Sequence, residues 1–85
     1  MKMRYQVTDC VYGGKRLWIE NCDSNAIDPV VRNYLDILSK WGGADKYTDK
    51  YTSWEIHDDV VHATKRILDK YGFSEDTSTI PVWMN

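Results

Sequence analysis

Two histidines, two cysteines and a scatter of carboxylates are the residues of this sequence equipped for catalysis or metal binding. A metal site needs His, Cys, Asp or Glu gathered at workable spacing. The nearest approach is His57-Asp58-Asp59 with His62. The histidines stand five apart, so on one helix they do not share a face, and Asp58 is better placed as a helix cap. Surface histidines are the simpler reading. The cysteines have no C-x-x-C spacing and no second pair, which argues by count against a zinc ribbon or a thioredoxin-like site. Nucleophilic catalysis would need Cys10 or Cys22 within hydrogen-bond reach of His57 or His62, and no glycine-rich elbow surrounds either thiol. Gly13-Gly14-Lys15 and Gly42-Gly43 lack the spacing that wraps backbone amides around phosphate, and both read as turns. The expectation is a non-enzymatic protein with no catalytic residue, no metal and no cofactor.

Binding chemistry is better represented. The chain carries four Trp and six Tyr among 85 residues, and Trp, Tyr and Arg are the side chains enriched at protein-binding hot spots. Which of them face outward depends on the strands that hold them. Residues Met3 to Val11 and Lys15 to Asn21 are rich in strand formers and flank Tyr12-Gly13-Gly14, a turn signal. Side chains alternate along a strand, so loop length decides which residues share a face. A two-residue Gly13-Gly14 turn mixes apolar and polar residues on both faces. A three-residue loop with Gly14 left-handed pairs Val11 with Lys15, Asp9 with Leu17 and Val7 with Ile19. Met3, Tyr5, Val7, Val11, Leu17 and Ile19 then share one face, with Asp9 the misfit. Arg4, Gln6, Thr8, Cys10, Arg16, Trp18, Glu20 and Cys22 share the other.

That register makes Trp18, flanked by Arg4, Arg16 and Glu20, the candidate partner-binding surface. A second candidate is the polar stretch from Ala44 to Ser53, where Tyr47 and Tyr51 stand among Asp45, Lys46, Asp49 and Lys50; Tyr-rich polar loops make adaptable contacts. The competing reading of Trp18 is internal packing, with the tail and Trp83 over it. The register also separates Cys10 from Cys22 by roughly 20 Å at about 3.3 Å per residue, too far for a disulfide. Two free thiols fit a reducing, cytoplasmic compartment.

Two helices and two more strands complete the order. Asp28-Pro29 starts a helix, with Asp as N-cap and Pro in the first turn. Val30, Val31, Tyr34, Leu35, Leu38 and Trp41 form its apolar stripe, and Gly42-Gly43 ends it. Tyr51 to Ile56 reads as a strand, against a competing capping box at Thr52-Ser53-Trp54-Glu55. A second helix starts at Asp58, carries Val60, Val61, Thr64, Ile67, Leu68 and Tyr71, and closes at Gly72. Ser74 to Ser78 reads as loop and Thr79 to Met84 as a short strand, which Pro81 confines to an edge or a bulge. The order β-β-α-β-α-β predicts a small α+β open-faced sandwich, one mixed sheet with both helices on one face.

At 85 residues the chain is expected to be one globular domain over 1–85. The start at Met1 reads as that of a complete small gene product. No signal peptide or membrane span is expected. A net charge of −2 with alternating signs argues against bulk binding of nucleic acid. The functional expectation is a binding module acting by protein–protein contact: an adaptor, regulator or inhibitor of the kind phages and mobile elements encode. The alternative is nucleic-acid binding through the basic and aromatic hairpin face, using Lys2, Arg4, Lys15, Arg16 and Trp18. Homodimerisation through the Trp18 face or an edge strand near Pro81 is open.

Overall fold

The computed structural model describes residues 3–10, 13–20, 27–47 and 50–77. They form an α+β open-faced sandwich with a mixed sheet and two helices on one face. The hairpin strands are β1 (Arg4–Asp9) and β2 (Lys15–Glu20), followed by α1 (Pro29–Leu38), β3 (Lys46–Tyr47), β4 (Tyr51–Ile56), α2 (Val61–Lys70) and β5 (Ser74–Glu75). Their order across the sheet is β3-β4-β2-β1-β5.

The hairpin keeps the expected faces and changes the expected pairing. Val7 lies opposite Leu17, Tyr5 opposite Ile19 and Asp9 opposite Lys15, where the sequence suggested Leu17 for Asp9 and Ile19 for Val7. The turn is one residue earlier on each side: the Cys10 amide donates to the Gly14 carbonyl and the Gly13 amide to the Cys10 carbonyl. Gly13 and Gly14 both take positive φ, +95° and +79°. The physical reason is Asp9. Opposite Leu17 it would face the core, whereas opposite Lys15 it sits exposed and forms an ion pair. A slip of two in the pairing leaves the alternation intact, so each side chain keeps its face.

The core lies between sheet and helices. Tyr5, Leu17, Ile19, Trp54 and Ile56 from the sheet meet Ile27, Val31 and Leu35 at α1 and Leu68 of α2. Two of the aromatic rings in it end in polar atoms, and each helix supplies an aspartate for one of them. Trp54 Nε1 donates to Asp36 Oδ1 at 2.8 Å, and the Tyr5 hydroxyl donates to Asp69 Oδ1 at 3.0 Å. These bonds let large rings be buried without orphaned donors.

Helix α1 starts as expected, with the Asp28 side chain accepting from the Val30 amide at 2.8 Å. It ends sooner. Ser39 is extended and bridges Ile56, and the Lys40 amide donates to the Glu55 carbonyl at 2.8 Å. The open edge of β4 thus captures the chain before Gly42-Gly43, and Trp41 is left 72% exposed instead of joining the core stripe. Beyond a bulge the chain returns to the same edge as β3, which the sequence reading had assigned to a loop.

The strand reading of Tyr51–Ile56 holds over the capping box. The second helix begins later than expected: Asp58–Val60 form a 3-10 turn, α2 proper runs from Val61, and no side chain caps the turn or the helix. At its far end Phe73 donates to the Leu68 carbonyl and Gly72, at φ +86°, to that of Asp69, which is a Schellman closure. That closure aims the chain at β1. Ser74–Glu75, expected as loop, pairs with Arg4 and Tyr5 in parallel and makes the sheet mixed. The strand expected over Thr79 to Met84 lies outside the described residues. Among the described residues no helix is long and apolar enough to cross a membrane.

Candidate functional site

The expected recognition surface is present but closed. Arg4, Arg16, Trp18 and Glu20 lie on the sheet face away from the helices, as alternation requires. Trp18, however, is only 8% exposed. Its Nε1 donates to Thr8 Oγ1 at 2.8 Å, its ring meets Tyr51 edge-on with centroids 5.0 Å apart, and the Arg16 guanidinium lies 5.7 Å from its ring centroid. The solvent-facing indole anticipated from the sequence is therefore corrected to a packed one. Tyr51 is likewise 8% exposed, and it is the first residue of β4 and not part of a loop. Tyr47 is placed by its backbone in β3, opposite Thr52.

The guanidinium groups on this face are spoken for. Arg4 pairs with the directly opposed Glu20 at 3.0 Å and approaches Asp76 at 3.9 Å. Arg16 holds Asp45 at 2.7 Å and Glu55 at 3.3 Å, and donates to Ser53 Oγ at 3.1 Å. The hydrogen bond that Arg16 donates to Asp45 leads the causes that raise the Arg16 pKa further above its ordinary value. Arg16 so ties β2 to both β4 and the segment entering β3. It is a cross-sheet clamp on the same face as Trp18.

Open surface begins at the edge of that face. A cleft of about 630 Å³ lies between the hairpin turn and the segment after α1, lined among others by Thr8, Cys10, Arg16, Trp18, Lys40 and Glu55, with Trp41 at its rim. Trp41 Nε1 donates to Glu55 Oε2 at 2.9 Å, while most of the residue stays in water. Lys40 crosses over Gly14, close enough that a Cβ there would lie 2.8 Å from its Nζ. Among the described residues its side chain has no hydrogen-bond or ion-pair partner. The cleft thus combines an exposed indole, a half-buried thiol and an ammonium with no partner among the described residues, with Glu55 already engaged by Arg16 and Trp41.

Sequence reasoning missed Trp41 and Lys40 because helical spacing put Trp41 in the core stripe. The available signal was Ser39, a residue that leaves helices easily, immediately before them. His57 and His62 are exposed, Cys10 is a free half-buried thiol, and no group of three His, Cys, Asp or Glu able to hold a metal occurs among the described residues. Cys22 lies outside them. Comparison of the chain with family models, with curated proteins and with solved structures finds no match in any of the three.

Proposed function

We propose that the 85 residues act as one small binding module, an adaptor, regulator or inhibitor working by contact with another protein in a reducing compartment. One observation carries this reading: Trp41, hydrogen-bonded to Glu55, is 72% exposed beside a cleft that it helps to line. Leaving a large aromatic in water gains the fold little, whereas an exposed indole beside a pocket is what a binding anchor requires. Lys40, without a partner among the described residues, sets the charge of the occupant. The fitting partner is a protein segment that lays an apolar side chain against Trp41 and the cleft and offers a carboxylate to Lys40. The free thiol of Cys10 supports the reducing compartment.

The nucleic-acid alternative has less to support it. Arg4, Lys15 and Arg16 each pair with a carboxylate, and Lys2 lies outside the described residues. Selection of a displayed random-peptide library on the immobilised chain tests the protein-binding reading. Peptides joining Asp or Glu to a large apolar residue are expected, with enrichment lost on Trp41→Ala and reduced about tenfold on Lys40→Ala. Peptides without acids, or enrichment indifferent to Trp41, would remove it. A tryptophan-fluorescence titration with a single-stranded oligonucleotide at low salt is expected to be flat.

A further inference from the structure

Helix α1 is apolar over a wider sector than the sheet covers. Val31 and Leu35 are fully buried, while Val30, Tyr34 and Ile37, at i, i+4 and i+7, are 50%, 46% and 70% exposed. These three project within one narrow sector beside the buried stripe. The charged residues of the helix, Arg32 and Asp36, lie on its other side, and Asn33 borders the exposed row. We propose that this row is the interface of a homodimer in which α1 packs antiparallel against α1 of a second copy. This surface is separate from the Trp41 cleft and does not depend on its role.

Two features single out a second copy as the occupant. A two-fold interface brings every group near its own copy, so a charge at its centre meets the same charge; this row has none. The row is also self-complementary in size. An antiparallel pairing with its axis beside Asn33 and Tyr34 sets Val30 against Ile37 of the second copy, small against larger, with the two Tyr34 rings adjacent. Antiparallel helix dipoles favour the same arrangement.

Area sets the strength. The exposed parts of the three side chains offer about 300 Å² of apolar surface. If apolar atoms make up about 65% of the contact, as in homodimers, the two copies together bury roughly 1,000 Å², the lower limit of a specific interface. The dimer is therefore a weak one, with Kd on the order of 10–100 µM.

Sedimentation equilibrium of the full chain across roughly 1–300 µM reads this directly. The weight-average mass should climb from 10.0 kDa towards twice that value. Ile37→Glu and Val30→Lys should each hold the chain monomeric, with the far-ultraviolet circular dichroism of the parent. The double variant, whose new charges face each other only in the antiparallel pairing, should dimerise again. Trp41→Ala should dimerise like the parent, which keeps this outcome distinct from that of the peptide selection. A parent that stays monomeric throughout, a dimer indifferent to Ile37→Glu, or single variants that the double variant fails to rescue would each overturn the proposal.

Discussion

Two aspartates carry unequal burdens for their size. Asp36 and Asp69 sit on different helices, and each accepts from the polar tip of a fully buried ring, Trp54 and Tyr5. Removing the acceptor leaves a buried donor unpaired, which costs more than the bond itself contributed. Asp36→Ala is expected to lower stability by about 1–3 kcal/mol in urea unfolding. Tyr5 makes a pH prediction. Burial first, then the hydrogen bond to Asp69, raises its pKa well above the ordinary tyrosine value. The folded chain thus keeps this proton at a pH where the unfolded chain releases it, so the contribution is complete below about pH 10 and declines as pH rises further. The urea midpoint between about pH 8 and pH 11 should drop more steeply in the parent than in Tyr5→Phe. The remaining tyrosines are common to both proteins and cancel.

Among the elements, the hairpin turn and the start of α1 make the sharpest statements. Gly13 and Gly14 both have positive φ, but an added Cβ meets nothing within 4 Å at Gly13, whereas at Gly14 it lies 2.8 Å from Lys40 Nζ and 3.1 Å from the Ile56 carbonyl. The lysine can move; the strand carbonyl cannot do so cheaply. Gly13→Ala should cost about 1–2 kcal/mol of backbone strain, and Gly14→Ala more. Calorimetric melting of the two variants decides it: equal losses would mean that the close approach is not felt. At α1, Asp28→Ala removes the acceptor for the Val30 amide and is expected to cost about 0.5–2 kcal/mol. Much at this scale was legible beforehand. The Asp28 cap, the strand at Tyr51–Ile56 and the division of the hairpin into two faces all rest on local chemistry and alternation. The early end of α1 and the two-residue strands β3 and β5 were not, because each depends on a hydrogen-bond partner far away in the chain; the pairing of Asp9 with Lys15 is local and depends on where the glycine turn closes.

On the scale of the molecule, nine buried residues among those described, from the sheet, both helices and the approach to α1, form one cluster, with Trp18 and Tyr51 as a smaller one across the sheet. Arg16 joins the strands that separate them. Neither layer has enough buried surface to stand alone, so both should be lost together. Unfolding followed by tryptophan fluorescence and by far-ultraviolet circular dichroism is expected to give coincident transitions; a fluorescence change that precedes the loss of helix would show the aromatic layer melting independently.

The sequence by itself determined which side chains share a strand face, where the first helix begins and the α+β order, since these follow from alternation, periodicity and capping within a few residues. Tertiary structure alone decided which aromatic residues meet water. Trp18 and Trp41 exchanged their expected places because exposure depends on what packs against a ring: Tyr51 and Arg16 close over the first. The β4 edge draws the chain out of the helix and leaves the second at the rim. Hydrophobicity states what a side chain gains from burial, but not whether the fold has room to bury it.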